Sequence, residues 1–280
     1  MLSYRHSYHA GNYADVLKHT VLIHVLDYFK RKAKPFCYVD THAGAGAYSL
    51  KSEQAEKNQE YLQGVAKIWQ QANLPPVLSR YVEVITAAGF DDSFTQYAGS
   101  PLIAKQLLRH QDYAFLYELH GADYQHLQGL FAQQSQVQTH QQDGFKHCLG
   151  LMPPTQKRGL ILIDPSYEMK SDYDQVVDSL ESMYQRFSSG TFMLWYPVVD
   201  RHRINELERK LKASSLKNVQ LFELGQSEDT LEHGMTANGM IVVNPPWTLK
   251  DDMQPALVYL AEQLGLNGQG YYRFKQLIEE

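Results

Sequence analysis

The stretch that decides the fold is FCYVDTHAGAGA, at residues 36–47. It begins as an apolar run that ends in Asp40, and it continues into a turn of small residues that contains Gly44 and Gly46. An apolar run followed by such a turn is typical of a strand that leads into a ligand-binding loop. We therefore expect the first strand of a ligand-binding sheet over residues 36–40.

The segments on either side of this stretch alternate between helical and strand patterns. Apolar residues at helical spacing predict an amphipathic helix over Asp15–Phe29, directly before the first strand. Strands that alternate with helices usually pair in parallel and are covered on both faces, so we expect an α/β fold. The later strands are expected at Tyr113–Tyr117, Gln136–His140, Leu160–Ile163, Thr191–Tyr196, Val219–Leu224 and, as the last one, Met240–Val243.

An insertion separates the glycine turn from the second strand. A simple β-α-β unit would start that strand about 20–25 residues after the glycines, and some fifty residues are added here. Apolar spacing and the Pro75-Pro76 break indicate short helices in this interval. We expect a core domain at residues 1–49 and 99–280, and an inserted helical subdomain at residues 50–98. Ser100 is expected to cap the helix that restarts the core, with Pro101 in its first turn.

The composition is that of a folded, water-soluble protein. Of the 280 residues, 44% are hydrophobic and 20% are charged, so the chain can bury a sizeable core. No apolar stretch approaches the ~20 residues that span a bilayer, and the N-terminus lacks a signal-peptide pattern. Cys37 and Cys148 stand far apart, and the histidines show no metal-ligand spacing. We expect a cytoplasmic monomer that binds neither membrane nor metal.

Positive charge is concentrated near the N-terminus. The formal net charge of −5 argues against a surface coated in nucleic-acid-binding charge, yet residues 1–51 hold seven Lys/Arg and three Asp/Glu. The run Lys30–Lys34 either ends a helix, where cations suit the helix dipole, or belongs to a basic surface. A helix end does not explain Arg5, His6, His9 and Lys18.

Acidic residues follow the ends of several predicted strands. Ligands of open α/β sheets bind beyond the carboxyl ends of the strands. Glu118 suits hydrogen bonds to ribose hydroxyls, and Asp143 suits a hydrogen bond from an adenine amine. A solvated strand end and an ordinary turn are the alternatives for these two residues. Because the third glycine of a dinucleotide site is missing, the glycine turn by itself is weak evidence for a cofactor.

The residues Asp164-Pro165-Ser166-Tyr167 follow the strand Leu160–Ile163. An exocyclic adenine amine is a poor nucleophile because its lone pair is delocalised into the ring. The Asp164 carboxylate and the Pro165 carbonyl would each accept one N–H and so direct the lone pair toward a methyl donor. The Tyr167 ring would stack on the base. An acid-proline turn that closes a strand is the alternative.

These motifs carry a family resemblance. The order of glycine turn, second-strand acid, Asp143-Gly144 and Asp-Pro-x-Tyr resembles the amino methyltransferases, although Ser166 departs from their usual second proline. Residues 4–6 (YRH), 9–19 (HAGNYADVLKH), 40–44 (DTHAG) and 164–168 (DPSYE) resemble the RlmJ family of 23S ribosomal RNA adenine-N6 methyltransferases. This second resemblance covers nearly the whole chain, and in that family Ser166 and the insertion are normal features.

The RlmJ resemblance implies a fold, a reaction and a set of site residues. The fold is a Rossmann-like class I S-adenosyl-L-methionine-dependent methyltransferase sheet with a small helical insertion. The reaction methylates the N6 amine of one specific adenine in 23S ribosomal RNA, either protein-free or in an early assembly intermediate, and leaves S-adenosyl-L-homocysteine. The implied cofactor contacts are His19, His42, Ser100, Glu118, Asp143, Gly144 and Asp164, and the implied RNA contacts are Tyr4 and Lys18. From the residues alone, binding and packing remain open for both histidines.

A second turn, Asn244-Pro245-Pro246-Trp247, fits the amino methyltransferase pattern better than residues 164–167 do. The final strand of this fold is usually antiparallel, which would place this turn at the edge away from the cofactor. We therefore interpret it as a rigid turn with a packed aromatic side chain. The alternative functions are a DNA adenine-N6 or protein glutamine-N5 methyltransferase, an oxidoreductase on the same sheet, and a non-catalytic RNA-binding protein.

Overall fold

The computed structural model describes residues 5–230 and 234–280. Its helices are α1 (Tyr13–Lys30), α2 (Glu53–Asn58), α3 (Val65–Ile68), α4 (Pro76–Ala87), α5 (Ser100–Leu107), α6 (Gly121–Phe131), α7 (Gly144–His147), α8 (Asp172–Arg186), α9 (Arg201–Ala213) and α10 (Leu249–Leu264). Its strands are β1 (Cys37–Asp40), β2 (Ala47–Ser49), β3 (Gln96–Ala98), β4 (Tyr113–Tyr117), β5 (Val137–His140), β6 (Gly159–Ile163), β7 (Thr191–Val198), β8 (Val219–Gly225), β9 (Ala237–Val243) and β10 (Tyr271–Ile278).

The central sheet has the strand order β10-β8-β9-β7-β6-β1-β4-β5. The pairs β1–β4, β1–β6, β4–β5 and β6–β7 are parallel. β9 is antiparallel to β7 and β8, and β10 is antiparallel to β8. The prediction of an α/β fold with a largely parallel sheet is confirmed. The carboxyl ends of β5, β4, β1 and β6 therefore meet at one edge of the sheet.

Strand β6 shows how both faces of the sheet are covered. Leu160 and Leu162 pack in the same buried cluster as α1, whereas Ile161 and Ile163 pack on the opposite face in the cluster of α8. All four side chains are fully buried. A strand buried on both faces needs apolar residues at every position, which is why this segment is a continuous apolar run.

The inserted residues 50–98 are mainly helical and pack on α1. Tyr61, Val65 and Tyr81 belong to the same core cluster as Leu17 and Leu22 of α1. Two short strands that the sequence did not predict, β2 and β3, pair antiparallel and hold the two ends of the insertion together. The insertion thus shares the core of the sheet, and its division into a separate subdomain stays a prediction.

Two sequence assignments in the core were wrong. Met240–Val243 is not the last strand, because β10 follows it at the edge of the sheet. β10 carries Arg273 and Lys275 on a partly exposed strand, and an edge strand of this kind lacks the apolar signal of a buried one. Ser100 does not cap α5, because Gly99 occupies that position and the Ser100 hydroxyl donates a hydrogen bond to Asp40 instead.

The Asn244–Trp247 turn lies at the amino edge of the parallel strands. Val243, the last residue of β9, pairs with Phe192 near the start of β7, so the turn is at the opposite edge from Asp164. The expected antiparallel direction of this strand is thus confirmed. The expected packing of the aromatic ring is wrong, because Trp247 is 77% exposed. The two prolines end the strand without turning the ring inward.

Membrane spans, metal-ligand groups and cysteines were checked against the sequence expectations within residues 5–230 and 234–280. No helix in them is both long enough and apolar enough to cross a bilayer. They contain no group of three or more His, Cys, Asp or Glu side chains arranged to hold a metal ion. Cys37 and Cys148 are both buried and free.

Candidate active site

A cleft of about 310 Å³ opens at the carboxyl edge of the sheet. Its size is within the range that small-molecule ligands fill. The structure brings into its wall all the residues for which a cofactor contact was expected, namely His19, His42, Ser100, Glu118, Asp143, Gly144 and Asp164. Lys18 and Pro165 line the same cleft.

The glycine turn is fixed by Glu118. Gly44 has a φ of +60°, and a Cβ atom at this position would stand 2.1 Å from the Tyr48 hydroxyl. Its backbone N–H donates to Glu118 Oε2 over 2.8 Å, and the His120 N–H donates to Oε1 over 2.6 Å. Burial raises the pKa of Glu118. Because each carboxylate oxygen has a second lone pair, Glu118 still presents acceptors to the cleft.

One end of the cleft is closed by residues that follow β1 and β5. A Cβ atom at Gly144 would lie 2.1 Å from the Thr41 carbonyl oxygen, so glycine is required there for backbone packing. His42 lies edge-on to Phe145, with 4.7 Å between ring centroids. Burial lowers the pKa of His42 to about 4, which keeps the ring neutral near neutral pH. Asp143 caps α7 and forms an ion pair of 3.3 Å with Lys146.

His19 presents a buried polar atom, Nε2, that makes no hydrogen bond within the described residues and lies 3.9 Å from Asp15 Oδ1. The side chain is 1% exposed, and burial lowers its pKa to about 3, so the ring is neutral. Nδ1 lies 2.8 Å from the Tyr97 hydroxyl, whereas Nε2 has no hydrogen-bond partner in the described part of the chain. If the Tyr97 hydroxyl donates to Nδ1, the ring proton resides on Nε2, which is then a donor available to a ligand.

Asp40 and Ser100 form a pair beneath the cleft. The Asp40 carboxylate is fully buried and accepts hydrogen bonds from the Ser100 and Tyr38 hydroxyls, each over 2.7 Å. Burial raises the pKa of Asp40 to about 6. Ser100 lines the cleft and Asp40 does not, so Asp40 orients the Ser100 hydroxyl from below.

Asp164 is held by a lysine from α1. Lys18 Nζ lies 2.6 Å from Asp164 Oδ2 and 2.9 Å from Asp15 Oδ1, and Lys18 is 4% exposed. Burial alone would lower the pKa of Lys18, but the two carboxylates outweigh it and raise the pKa. Lys18 therefore stays charged and fixes the orientation of the Asp164 carboxylate. As placed here, it contacts a carboxylate, and its expected contact with RNA stays a prediction.

Sequence analysis did not predict a role for Asp15. Its buried carboxylate accepts the Gly11 N–H over 2.8 Å and lies 2.9 Å from His6 Nε2, and His6 also lines the cleft. Burial alone would raise the pKa of Asp15, but the charges of His6 and Lys18 hold it well below its usual range. The i, i+3 spacing of Asp15 and Lys18, which places them on one helix face, is the signal that would have identified this pair.

Tyr167, an expected site residue, does not line the cleft. The Tyr167 hydroxyl donates to the Trp195 carbonyl over 2.7 Å, and its ring centroid lies 4.6 Å from that of Tyr173. Its φ of +53° is in the left-handed region, so the turn after Pro165 directs this ring away from the cleft. Tyr4 lies outside the described residues. The roles expected for Tyr167 and Tyr4 stay predictions.

Comparison with known proteins identifies the relatives of this chain. A family described as RsmJ, ribosomal RNA large subunit methyltransferase D, RlmJ, matches residues 33–278. Two proteins named ribosomal RNA large subunit methyltransferase J match over the full length of both chains, with 47% identity in Escherichia coli (strain K12) and 44% in Haemophilus influenzae. The crystal structure of protein LPL1258 from Legionella pneumophila superposes with a TM-score of 0.88 at 36% identity, over 96% of this chain and 98% of that one. The chain therefore belongs to the RlmJ family.

Proposed function

We propose that this protein transfers a methyl group from S-adenosyl-L-methionine to the N6 amine of an adenine in 23S ribosomal RNA. The observation that carries the proposal is the placement of Asp164. Its carboxylate lies in the cleft at the end of β6, with Oδ2 held by Lys18. Oδ1 has no hydrogen-bond partner within residues 5–230 and 234–280, so it is free to accept an amine N–H.

The charge of the cleft favours a cationic cofactor. Among the described lining residues one side chain, Lys18, is an ammonium group, and burial lowers the pKa of His19 and of His42, which are neutral. The lining carboxylates are those of Glu118, Asp123, Asp143, Asp164 and Asp172. A surplus of negative charge attracts the sulfonium and amino groups of S-adenosyl-L-methionine and repels the pyrophosphate of a dinucleotide. This charge balance supports a methyltransferase over the oxidoreductase alternative.

The residues present fit this cofactor. The unpartnered His19 Nε2 suits the cofactor carboxylate, because a buried donor without an acceptor costs about 1–3 kcal/mol until it finds one. Glu118 would accept the ribose hydroxyls and Asp143 the adenine amine, since both line the cleft beyond the strand ends. Ser100, His42 and Gly144 would complete the walls. When bound, the cofactor supplies an electrophilic methyl group on a positively charged sulfur.

The protein's own residues would activate the amine. Asp164 Oδ1 and the Pro165 carbonyl would each accept one N–H, which localises the nitrogen lone pair toward the methyl donor. Lys18 fixes the orientation of the Asp164 carboxylate, and Asp15 holds Lys18 on its other side. Asp164 Oδ1 would accept the surplus amine proton once the nitrogen has taken the methyl group from sulfur, which would leave S-adenosyl-L-homocysteine. We further propose that Tyr167 rotates toward the cleft to stack on the base.

The choice of substrate rests on the relatives and on access to the amine. The two full-length relatives are named as ribosomal RNA methyltransferases, which supports RNA over DNA or protein. A paired adenine has its amine in a hydrogen bond, so the base must be unpaired or flipped at a cost of a few kcal/mol. Protein-free 23S ribosomal RNA or an early assembly intermediate would expose such a base, and we propose that the enzyme meets it as a monomer.

Initial rates of methyl transfer to three matched nucleic acids test this proposal. They are an RNA hairpin that carries the target adenine unpaired, the same adenine in a fully paired RNA duplex, and the hairpin sequence as DNA. We expect the fastest transfer to the RNA hairpin and much slower transfer to the duplex. A preference for DNA would overturn the RNA assignment, and equal rates on hairpin and duplex would contradict the requirement for an unpaired base.

A further inference from the structure

The cations expected to hold RNA near the cleft are already paired with carboxylates. Lys18 is buried between Asp15 and Asp164, and Arg5 lies 3.7 Å from Asp123. The charged side chains that line the cleft are mainly carboxylates, which repel phosphates. Because phosphate contacts supply a large share of protein–nucleic acid affinity, an RNA methyltransferase with this cleft needs cations elsewhere.

Such cations lie at the amino edge of the sheet, opposite the cleft. Arg31, Lys32 and Lys34 follow α1 in the chain and are exposed. Lys157 and Arg158 precede β6 at the same edge, and Arg158 Nη1 donates to the Lys34 carbonyl over 2.7 Å. We call these five residues the basal patch.

The end of α1 does not account for the basal patch. Arg109 donates to the Lys32 and Lys34 carbonyls over 2.9 and 3.0 Å, and Arg158 donates to the Phe29 carbonyl over 2.9 Å. These two guanidinium groups already satisfy carbonyls at the helix end, the usual role of C-terminal cations. The side chains of Lys32 and Lys34 are thus available, on a loop that these hydrogen bonds hold in place.

Few carboxylates compensate this charge. Asp112 is fully buried and is paired with Arg109 over 2.8 Å. Asp27 is paired with Lys30 and Arg80. No ion pair is formed by Arg31, Lys32 or Lys34 within the part of the chain that the structure describes. Burial and the nearby Arg109 guanidinium lower the pKa of Arg158, as expected where positive charges crowd together.

An exposed aromatic ring lies at the same edge. Trp247 is 77% exposed, and its neighbour Thr248 contacts His24 of α1 over 3.4 Å. His24 precedes Arg31 by seven residues, which is about 10 Å along a helix axis. An exposed Trp ring on the same edge of the sheet as a group of cations is a combination that can bind single-stranded nucleic acid by stacking and charge.

We infer that the basal patch and Trp247 form a second RNA-binding surface, which contacts ribosomal RNA beyond the segment that enters the cleft. The inference rests on the proposed function for its choice of RNA as partner. Lys18 in the cleft wall precedes Arg31 of the basal patch by 13 residues along α1, a distance of about 20 Å. A short hairpin in the cleft would not reach the patch, whereas a long fragment of 23S ribosomal RNA would.

Charge-neutral variants of the full-length protein test this surface. The patch variant is R31Q/K32Q/K34Q, and the matched control R209Q/K210Q/K212Q removes three cations from α9, on the opposite face of the sheet from α1. Dissociation constants at two salt concentrations are measured for a short target hairpin and for a long 23S fragment that contains it. Initial methyl-transfer rates on the hairpin are measured in parallel.

We expect the patch variant to lose about tenfold or more in affinity for the long fragment. The slope of log affinity against log salt concentration should become shallower by about 2–3. Hairpin affinity and hairpin rate should stay within about twofold, and the control should retain wild-type affinity. W247A should lose about tenfold for the long fragment through lost stacking. Unchanged affinity of the patch variant, or an equal loss in the control, would overturn the inference. Absence of methyl transfer by the wild-type protein on any RNA would instead overturn the proposed function, since binding is measured independently.

Discussion

Two buried ionic networks differ in how completely their carboxylates are paired with cations. In one, Glu223 is fully buried and its oxygens accept from Tyr196, Arg201 and Arg273, while Glu208 binds Arg273 and Lys275. In the other, Asp15 and Asp164 share Lys18. The first network has a cation for each carboxylate, because Arg201 also binds Asp229.

The second network is incomplete on its own. Lys18 serves both carboxylates, His6 adds a second partner to Asp15, and within the described residues neither Asp164 Oδ1 nor the nearby His19 Nε2 makes a hydrogen bond. A saturated network stabilises a fold, whereas one that leaves charge and hydrogen-bonding capacity at a cleft is ready for a ligand. The number of satisfied acceptors, and not the presence of buried charge, therefore separates the candidate active site from a structural cluster.

The largest expected effect comes from replacing Asp164 by alanine. The acceptor for the adenine amine is lost while the other cofactor contacts remain, so methyl transfer should fall on the order of ten-thousand-fold with cofactor binding weakened but measurable. Single-turnover transfer of a labelled methyl group and calorimetric cofactor binding measure the two quantities separately. Turnover near that of the wild type would remove Asp164 from the catalytic role.

Replacing Glu223 by alanine should lower the stability of the fold and leave cofactor binding unchanged. Arg201 and Arg273 would lose a buried partner, and breaking a buried pair typically costs about 3–5 kcal/mol in the free energy of unfolding. Urea unfolding gives this value, with exposed Glu206→Ala on the same side of the sheet as the control. Cofactor affinity of the folded variant should equal that of the wild type. A stable Glu223→Ala variant with impaired methyl transfer would mean that this network also serves the site.

Replacing Glu118 by alanine should act mainly through cofactor affinity. The loss of hydrogen bonds to a charged acceptor is expected to cost about 1.5–3 kcal/mol of binding free energy. Part of this loss comes from the glycine turn, whose Gly44 N–H would lose its acceptor. Calorimetry with the cofactor measures the change, and Glu118→Gln, which keeps one oxygen, should lose less. Unchanged affinity would show that Glu118 ends the strand without binding the cofactor.

The smallest effect concerns pH and the histidines of the cleft. Because the folded state lowers the pKa of His42 from 6.5 to about 4, it binds fewer protons than the unfolded chain between these values. The stability from the neutral ring is therefore complete above about pH 6.5 and is lost as the pH falls toward about 4. When the pH falls from about 7 to about 5.5, the free energy of unfolding of His42→Gln should decrease by about 1 kcal/mol less than that of the wild type. Parallel pH dependences of unfolding would contradict this assignment.

The sequence was most informative where one pattern determines the structure. The buried strands β4 and β6 and the helix α1 were predicted within a few residues, because their apolar periodicity reflects burial directly. The residues after β1, β4, β5 and β6 were correctly expected to meet, since parallel strands end at one edge. The Asp164 cleft could thus be located from sequence order alone.

The features that were missed depend on tertiary contacts. The link from Asp15 to the site runs through Lys18, whose partner Asp164 is 146 residues away in the chain, and the packing of Tyr167 on Tyr173 depends on the path of a turn. No local pattern indicates that the Trp247 ring is exposed, and the partly exposed edge strand β10 lacks the apolar run of a buried strand. The role of the run Lys30–Lys34 stayed open in the sequence, because only the structure shows Arg109 and Arg158 satisfying the carbonyls there.

Identification of the methylated nucleoside tests the central claim most directly. Protein-free 23S ribosomal RNA from cells that lack this activity is incubated with the purified protein and S-adenosyl-L-methionine, digested to nucleosides and analysed by mass spectrometry. The proposed function predicts a single new product, N6-methyladenosine, that is absent when the Asp164→Ala variant replaces the wild type. A methyl group on another base, on ribose or on protein glutamine would contradict it.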